Sequence, residues 1–560
     1  MDQFGTLTSS IPWTTLISSK FNAALAGVFS HFLLAQWELD FHVHHLLMFW
    51  LFGYGAATYA VYADSFAASD ASPISAVFSA IWITFTSAAV YFSTILCSMA
   101  IYRVFFHRLR KFPGPTMPAV SKLFCPWYIV TQRQLFLEVD DWHRKYGDYV
   151  RIGPQELSII DTNAVNPILG AQSKCLKGPW YEAPCHTAGQ SLHSERSKIA
   201  HKERRRHWDQ AFSTKSINGY IPRLERIMLR LLCQIQARTG KPLVINHWIE
   251  FFAFDVTGDI GFSHDFNMIE RAEVDDLIKL VRGGGDLFMA FNPVPWLLST
   301  FMRIPSSEFK DILSRTYKIL RERAAKTPSE TDVFSWLLKP GKGISLNHNA
   351  DARLLVLAGS DTSSSVLVFI FYYLCKYPDQ LRKLQTVVDN VARAKGFLDA
   401  HTLMNVPHLD GVINETMRLH PPVIFGLQRQ TPPEGIMIGD KHIPGNSHVR
   451  IPHWSIQRDE RYFPNPLSFI PERWTTEPEL IKDKRAFMPF NVGQHNCVGQ
   501  RFAMIEMRVL VANLIRQFDV TFAPGEDGNT IVNGVKDGFT TKIPDMNIVF
   551  TPRSGVTSFE

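Results

Sequence analysis

The N-terminal part of the chain is almost free of charge. Between Phe21 and Tyr102 there is no Lys or Arg, and only four acidic residues interrupt an apolar sequence. A helix needs about 20 mostly apolar residues to cross the hydrocarbon core of a bilayer. The blocks 44–62 and 74–102 are long enough, whereas the block 21–35 is short and contains His31. The pattern predicts a membrane anchor over residues 1–102 with two to three transmembrane helices.

Basic residues begin directly after the third block, with three Arg and one Lys between residues 103 and 111. The chain has a formal net charge of +6, but residues 21–102 carry −4 and residues 103–560 carry +10, because Asp2 and Lys20 cancel. Positive residues flank the cytoplasmic side of a membrane span. We therefore expect the chain after residue 103 to lie in the cytosol. With three spans, the N terminus would lie in the lumen.

The remaining sequence is typical of one large globular domain. The whole chain is 46% hydrophobic and 20% charged, which excludes a disordered chain, and its seven Cys are too few for a disulfide scaffold. The run Lys111-Phe112-Pro113-Gly114-Pro115 cannot continue a helix, which predicts a basic, Pro-rich hinge over residues 103–116. Helical patterns dominate residues 117–560, and short extended runs at 149–152 and 157–160 add minor sheets. The predicted fold class is mainly α with minor β sheets.

One cysteine stands in an unusual loop. Phe490, Gly493, His495, Cys497 and Gly499 lie within ten residues, directly before a helical pattern. Glycines let a backbone turn tightly and approach a flat ligand closely, and a thiolate before a helix N terminus is stabilised by backbone donors. Most free cysteines are buried apolar residues. The loop alone therefore leaves a structural thiol and a metal ligand both open.

Three further motifs accompany this loop in a fixed order. They are Ala358-Gly359-Ser360-Asp361-Thr362-Ser363, Glu415-Thr416-Met417-Arg418 and Pro471-Glu472-Arg473-Trp474. Together with the cysteine loop they resemble the cytochrome P450 family over residues 112–560. The resemblance implies the cytochrome P450 fold with N-terminal transmembrane helices, haem b with an axial cysteine thiolate, and a cytosolic catalytic domain. The expected activity is a monooxygenase that inserts one oxygen atom from O2 into a hydrophobic small molecule, by hydroxylation or epoxidation.

The resemblance also implies roles for individual residues. Cys497 would bind the iron, and Asp361 and Thr362 would relay protons as the catalytic pair. The remaining roles are haem binding by Phe490, Gly493, His495, Gly499, Arg205 and Arg429, and a structural network of Glu415, Arg418 and Arg473. Two positions depart from the family pattern, because His201 stands where Trp is usual and His495 stands where Arg is usual. Arg204 and Arg206 are expected on a solvated basic face.

The sequence contains no dinucleotide-binding fingerprint, because Gly283-Gly284-Gly285 lacks the strand–helix context of one. Electrons would therefore come from a separate NADPH–cytochrome P450 reductase, with cytochrome b5 as an additional donor. Basic residues around the cysteine loop suit docking to an acidic flavoprotein, although they are equally typical of a soluble surface. We expect a lipid bilayer and a hydrophobic small molecule as the other partners, and no nucleic acid. The predicted substrate-contact regions are 184–192, 287–296, 354–358, 423–427 and 539–540.

An anchor with several spans is similar to that of certain fungal members of the family, which indicates the endoplasmic reticulum membrane and a role in secondary metabolism or xenobiotic oxidation. Two alternatives stay open. One is a haem-thiolate isomerase or dehydratase, and the other is a membrane haem-binding sensor without turnover. The adjacent acid and hydroxyl at Asp361 and Thr362 count against both, because neither alternative needs a proton relay.

Overall fold

The computed structural model describes residues 12–35, 42–68, 72–131, 134–182, 188–280, 293–304, 306–338, 343–392, 396–536 and 538–554. The N-terminal part consists of four helices: α1 (Trp13–Ser18), α2 (Lys20–Leu34), α3 (Val43–Ala68) and α4 (Pro73–Ile101). Both α3 and α4 are long and apolar enough to cross a membrane. Only 6% and 22% of their most apolar windows are buried, so their side chains are available to lipid.

The first apolar block packs against the third. A Cβ on Gly27 of α2 would lie 2.7 Å from the carbonyl oxygen of Tyr91 in α4, so the absence of a side chain lets the two helices approach closely. His31 Nδ1 lies 2.8 Å from Ser98 Oγ, and the Tyr91 hydroxyl donates to Ser30 Oγ over 2.9 Å. The histidine that interrupts the first block is therefore buried between helices and has a hydrogen-bond partner.

A five-residue π-helix, Tyr102–Phe106, continues α4 towards the domain that follows it. The segment after it packs on that domain, because Leu109 is fully buried and Arg108 Nη2 donates to the Asn446 carbonyl over 2.8 Å. Arg151 Nη1 donates to the Arg103 carbonyl over 2.8 Å. These contacts attach residues 103–109 to the domain surface.

Helices make up most of the rest of the described structure. They are α5 (Thr116–Val120), α6 (Phe124–Thr131), α7 (Leu135–Tyr146), α8 (Val165–Leu169), α9 (Lys198–Ala211), α10 (Thr214–Gln236), α11 (Ile245–Phe262), α12 (Met268–Arg271), α13 (Pro295–Phe301), α14 (Ser307–Ala325), α15 (Phe334–Leu337), α16 (Leu346–Lys376), α17 (Pro378–Ala392), α18 (Pro407–Leu419), α19 (His453–Ile456), α20 (Gln500–Gln517) and α21 (Asn529–Asn533). Although α16 is as apolar as a membrane span, 67% of its most apolar window is buried. It is the central core helix.

Three small sheets complete the domain. Their strands are β1 (Tyr149–Gly153), β2 (Glu156–Ile159), β3 (Leu176–Lys177), β4 (Pro242–Val244), β5 (Arg429–Gln430), β6 (Ile436–Ile438), β7 (Lys441–Ile443), β8 (His448–Arg450), β9 (Phe518–Phe522) and β10 (Asn547–Pro552). The largest sheet has the order β1-β2-β8-β5-β3, and the others are β4-β10-β9 and β6-β7. The predicted mainly helical fold with minor sheets is confirmed.

The main hydrophobic core joins α10, α11, α16, α17 and α20. A second core lies between the five-stranded sheet and the segment around α8. The mixed sheet brings strands from distant parts of the sequence together, since β2 pairs in parallel with β8 and β3 pairs with β5. As a result, positions 156, 177, 429 and 450, which are far apart in the sequence, lie in strands of the same sheet.

Candidate functional site

The loop that carries Cys497 is fixed by backbone contacts. The Cys497 N–H donates to the Phe490 carbonyl over 2.8 Å. Gly493 has a φ of +72°, and a Cβ there would lie 2.2 Å from the carbonyl oxygen of Leu169, so glycine is the residue that fits. Gly499 is the N-cap residue of α20. The loop therefore holds Cys497 immediately before a helix N terminus.

The Cys497 side chain is accessible, although the protein around it still excludes much of the water. Desolvation raises the pKa of the Cys497 thiol. The N–H groups of Gly499 and Gln500 and the positive charge of Arg205 lower this pKa and so oppose the rise. Thiolate is the form that binds metals, and a metal ion deprotonates the thiol that it coordinates. The Cys497 environment thus offers hydrogen bonds to a thiolate while leaving deprotonation to the metal.

Arg205 on α9 is attached to this loop. Its Nη1 and Nη2 donate to the carbonyl and Oδ1 of Asn496 over 2.8 and 2.9 Å, and its Nε pairs with Asp209 over 2.7 Å. One turn earlier, His201 Nε2 lies 3.2 Å from His495 Nδ1. Burial, followed by positive neighbours, lowers the pKa of His201 to about 3 and lowers the pKa of His495. The two unusual histidines are therefore neighbours and are neutral.

Two cationic side chains are buried near this histidine pair. Lys177 and Arg429 are only 4% and 1% exposed. Lys177 Nζ donates to the carbonyls of Leu192 and His193, while Arg429 Nη1 donates to the Tyr181 hydroxyl over 2.9 Å and its Nη2 has no partner. Within the described residues neither cation has an ion pair with an acid. Buried charges are normally paired.

Burial lowers the pKa of Lys177 well below its usual range, and the positive charge of Arg429 adds to this effect. A nearby anion would restore the charged form of this amine. The pair Lys177 and Arg429 is thus an anion site that the protein itself does not fill within the described residues.

The middle of α16 has an accessible face and a buried face. Ala358 is exposed and Asp361 and Thr362 are half-buried, although residues 366–374 are all buried. Thr362 Oγ1 donates to the Ala358 carbonyl over 2.8 Å. Ser360 is fully buried and bonds Thr257 Oγ1 over 3.0 Å. The polar residues 360–362 therefore have two different environments. Ser360 connects α16 with α11, whereas Asp361 and Thr362 lie on the accessible face of α16.

Glu506 is a buried acid that the sequence did not single out. It lies on α20, is 2% exposed, and has one carboxyl oxygen without a partner within the described residues. Burial raises the pKa of Glu506 to about 8, and a hydrogen bond with Ser363 opposes this rise. The acid is therefore protonated at neutral pH and connects α20 with the residue that follows Thr362.

Glu415, Arg418 and Arg473 form one buried network with no exposed surface. Arg418 donates Nε and Nη2 to the two oxygens of Glu415 over 2.9 and 2.8 Å. Arg473 Nε donates to the same carboxylate over 3.1 Å, and Trp474 Nε1 over 3.0 Å. The structure brings together the three residues that the sequence assigned to a structural network and adds Trp474 to them.

Arg204 was expected on a solvated face, but its Nη2 pairs with the buried carboxylate of Asp351 on α16 over 2.6 Å. Its Nη1 donates to the Gln190 carbonyl over 2.7 Å. The expectation was wrong because the partner lies 147 residues away in sequence. The pair attaches α9 to α16.

Comparisons with known proteins agree with this geometry. The family model described as cytochrome P450 matches residues 113–550. Cytochrome P450 monooxygenase FCK2 of Fusarium pseudograminearum is 35% identical over 94% of this chain and 96% of its own length. Cytochrome P450 monooxygenase orf5 of Eupenicillium brefeldianum is 37% identical over 82% of this chain and 94% of its own.

The chain belongs to the cytochrome P450 family. It is a monooxygenase of the fungal type, and the predicted family, enzyme class and fold are confirmed. Tryprostatin B 6-hydroxylase of Aspergillus fumigatus is 36% identical over 83% of this P450 and 84% of its own length. The alignment with the Fusarium protein covers 545 residues, so it extends beyond the matched domain into the N-terminal part.

The residues of this P450 fit the haem that the family binds. The haem of a P450 takes a cysteine thiolate as its iron ligand, and its two negative propionates would need cationic partners. Cys497 is accessible in its loop, α16 presents a small exposed residue in Ala358, and Lys177 and Arg429 have no acidic partner among the described residues. Sequence reasoning did not identify Lys177, because nothing in the sequence near position 177 marks this lysine as buried.

A cavity with an empty volume of about 840 Å³, including its opening, lies beside this region of the P450. Most of its wall is apolar, formed by Phe124, Leu135, Trp142, Trp180, Val423, Phe425, Leu427 and Phe539 among others. Phe539 stacks on Trp180 with ring centroids 5.5 Å apart and lies 5.1 Å from the His193 ring. Four residues of the region 423–427 and Phe539, predicted as substrate contacts, thus share one cavity wall. The predicted contacts at 184–187 and 287–292 lie outside the described residues.

Proposed function

We propose that this P450 inserts one oxygen atom from O2 into a hydrophobic small molecule, by hydroxylation or epoxidation, in fungal secondary metabolism or xenobiotic oxidation. The observation that carries the proposal is the accessible Cys497 in a glycine-bounded loop near two buried cations without acidic partners among the described residues. The 6-hydroxylase activity in the name of the Aspergillus relative supports hydroxylation as the reaction.

Each residue has a distinct role in this proposal. When bound, a haem with a thiolate ligand activates O2 and favours cleavage of the O–O bond. Cys497 is the metal ligand, Phe490, Gly493 and Gly499 shape its loop, and Arg429 and Lys177 bind the propionates. Arg205 and His495 position the loop at the propionate side. They do so through Asn496 and the contact with His201.

Asp361 and Thr362 hold and move protons at the accessible face of α16. Thr362 Oγ1 donates to the Ala358 carbonyl, so its lone pairs remain available to accept a hydrogen bond from a water molecule of the relay. Asp361 supplies an acidic group beside it. Together they form a relay from solvent to the reacting oxygen.

The electron donor is an NADPH–cytochrome P450 reductase, with cytochrome b5 as a second donor, at the endoplasmic reticulum membrane. Lys482, Lys484 and Arg501 near the cysteine loop are exposed, which suits an acidic partner. Arg485 and Arg508 already pair with Asp483 and Asp410. They contribute less to this surface.

The anchor crosses the membrane three times, with residues 1–102 as anchor, 103–116 as connection and 117–560 as cytosolic catalytic domain. Helix α2 spans 15 residues, about 22 Å at the helical rise, and follows α1 after a break at Ser19. It packs on α4 through Gly27 and His31. A glycosylation acceptor fused before residue 1 should be modified in microsomes, and the same tag after residue 560 should not. An unmodified N-terminal tag would establish an even number of spans.

Replacing Thr362 with Ala is expected to uncouple electron consumption from oxygenation. The loss of the hydroxyl removes the acceptor that holds a water molecule of the proton relay, so the reductant is spent on peroxide instead of product. The measurement compares NADPH consumed, peroxide released and product formed with reconstituted reductase. The substrate used in this measurement is identified by comparing the metabolites of a strain that lacks the gene with those of the parent strain.

Thr386→Ala is the matched control, because Thr386 Oγ1 donates to the Arg382 carbonyl over 2.9 Å in the same i to i−4 geometry on exposed α17. It should leave the peroxide yield unchanged. Full coupling in the Thr362→Ala variant would remove Thr362 from the relay.

A further inference from the structure

One end of the cavity is charged. Glu156, at the start of β2, is fully buried and is contacted by Lys122 Nζ, by Arg450 Nε and, over 3.1 Å, by Gln428 Nε2. Lys122, Gln428, Arg450 and Glu156 all line the cavity. These four residues form the Glu156 cluster, in which Glu156 and Arg450 are brought together by the pairing of β2 with β8.

The Glu156 cluster carries a net positive charge, because two cations share one carboxylate. Arg450 uses only its Nε, and its two terminal nitrogens have no hydrogen-bond partner in the described part of the chain. Gln428 is 3% exposed, and its Oε1 also has no partner among the described residues. His448 on the same strand adds no charge, since burial, followed by Lys122 and Arg450, lowers its pKa to about 3.

Unused guanidinium donors beside an apolar wall indicate what the cavity recognises. The fork of an Arg side chain matches a carboxylate with two parallel hydrogen bonds. The surrounding aromatic rings, including Trp142, Trp180 and Phe425, suit a flat apolar body. A ligand that satisfies both ends is an apolar, preferably aromatic, carboxylic acid.

We propose that the Glu156 cluster binds a carboxylate of the substrate, so that this enzyme selects apolar carboxylic acids over neutral molecules of the same shape. The inference rests on the proposed function, because it takes the cavity as the substrate site. Arg450 makes the direct contact, Lys122 adds positive charge, and Glu156 holds both cations in place. No other described residue of the cluster competes for the terminal nitrogens of Arg450.

The test compares 2-naphthylacetic acid with its methyl ester as probes for the full-length, haem-loaded protein in detergent micelles. Binding is measured by titration calorimetry and by quenching of tryptophan fluorescence. Hydrogen bonds to charged groups contribute enough to favour the acid by about tenfold to a hundredfold. Arg450→Gln and Lys122→Met should each lower the affinity for the acid by more than the affinity for the ester, so that the preference falls.

Each variant leaves Glu156 with one cation, and the carbon monoxide spectrum verifies that the haem site is intact. Lys441→Gln, at an exposed position, is the control for nonspecific attraction of acids and should keep the preference. Equal binding of acid and ester by the unmodified protein overturns the inference, and so does a preference that survives in both variants. A missing thiolate-type spectrum would instead overturn the proposed function, whatever the probes do.

Discussion

Replacing Cys497 with Ser is expected to abolish the thiolate-type carbon monoxide difference spectrum and to reduce monooxygenation to background. Serine preserves the size of the side chain but provides an alcohol, which does not deprotonate or donate electron density as a thiolate does. The loop itself should persist, because it is held by backbone hydrogen bonds from Cys497 N and by the positive φ of Gly493. The effect is therefore specific to the ligand.

Cys233→Ser provides the control, because this cysteine is also accessible but lies on α10, away from the loop. Its spectrum should match that of the unmodified protein. Haem content is measured in parallel by extraction, which separates a changed ligand from a lost cofactor. A Cys497→Ser protein that still gave the thiolate-type spectrum would show that another residue binds the iron.

Replacing Glu415 with Gln is expected to prevent stable folding of most of the expressed protein molecules. The carboxylate is the only acid bonded to the two fully buried guanidinium groups of Arg418 and Arg473 in the described structure. Neutralising it leaves two buried positive charges without compensation, and breaking a buried pair in this way costs about 3–5 kcal/mol. That loss is a large part of the stability of a typical domain. Both the haem-loaded fraction and the temperature of unfolding should fall.

Glu434→Gln is the matched substitution, since Glu434 is exposed and lies 3.7 Å from Lys174 at the surface. It should change the free energy of unfolding by less than about 1 kcal/mol. The comparison uses the ratio of haem to total protein after identical expression, followed by thermal unfolding. A Glu415→Gln protein with the haem content and unfolding temperature of the Glu434→Gln control would remove the network from any role in folding.

The candidate site was predictable wherever its signal is local. The spacing of Glu415 and Arg418 places both on one helix face, and the cysteine loop is contained within ten residues. Trp474 is the last residue of a sequence motif that does not indicate its role. Its hydrogen bond to Glu415 depends on how a 3-10 turn packs against α18. Local spacing does not contain that information.

The electrostatic part of the site was less predictable. Arg429 was found by resemblance, whereas Lys177 was missed, because it belongs to a two-residue strand whose burial depends on pairing with β5. Arg204 was placed on the wrong kind of surface for a similar reason. Whether a basic residue is solvated or buried is decided by neighbours far along the chain.

The sequence by itself determined the apolar N-terminal helices, the mainly helical fold and the family, since hydrophobic periodicity and short motifs act over a few residues to a few tens. Only the tertiary structure decided which charges are buried, which of them are paired and which remain available to a ligand. Glu156 and Arg450 meet only because β2 pairs with β8, and Lys122 reaches Glu156 from outside both strands. The physical reason is that desolvation and ion pairing are properties of the packed interior, where residues distant in sequence become neighbours.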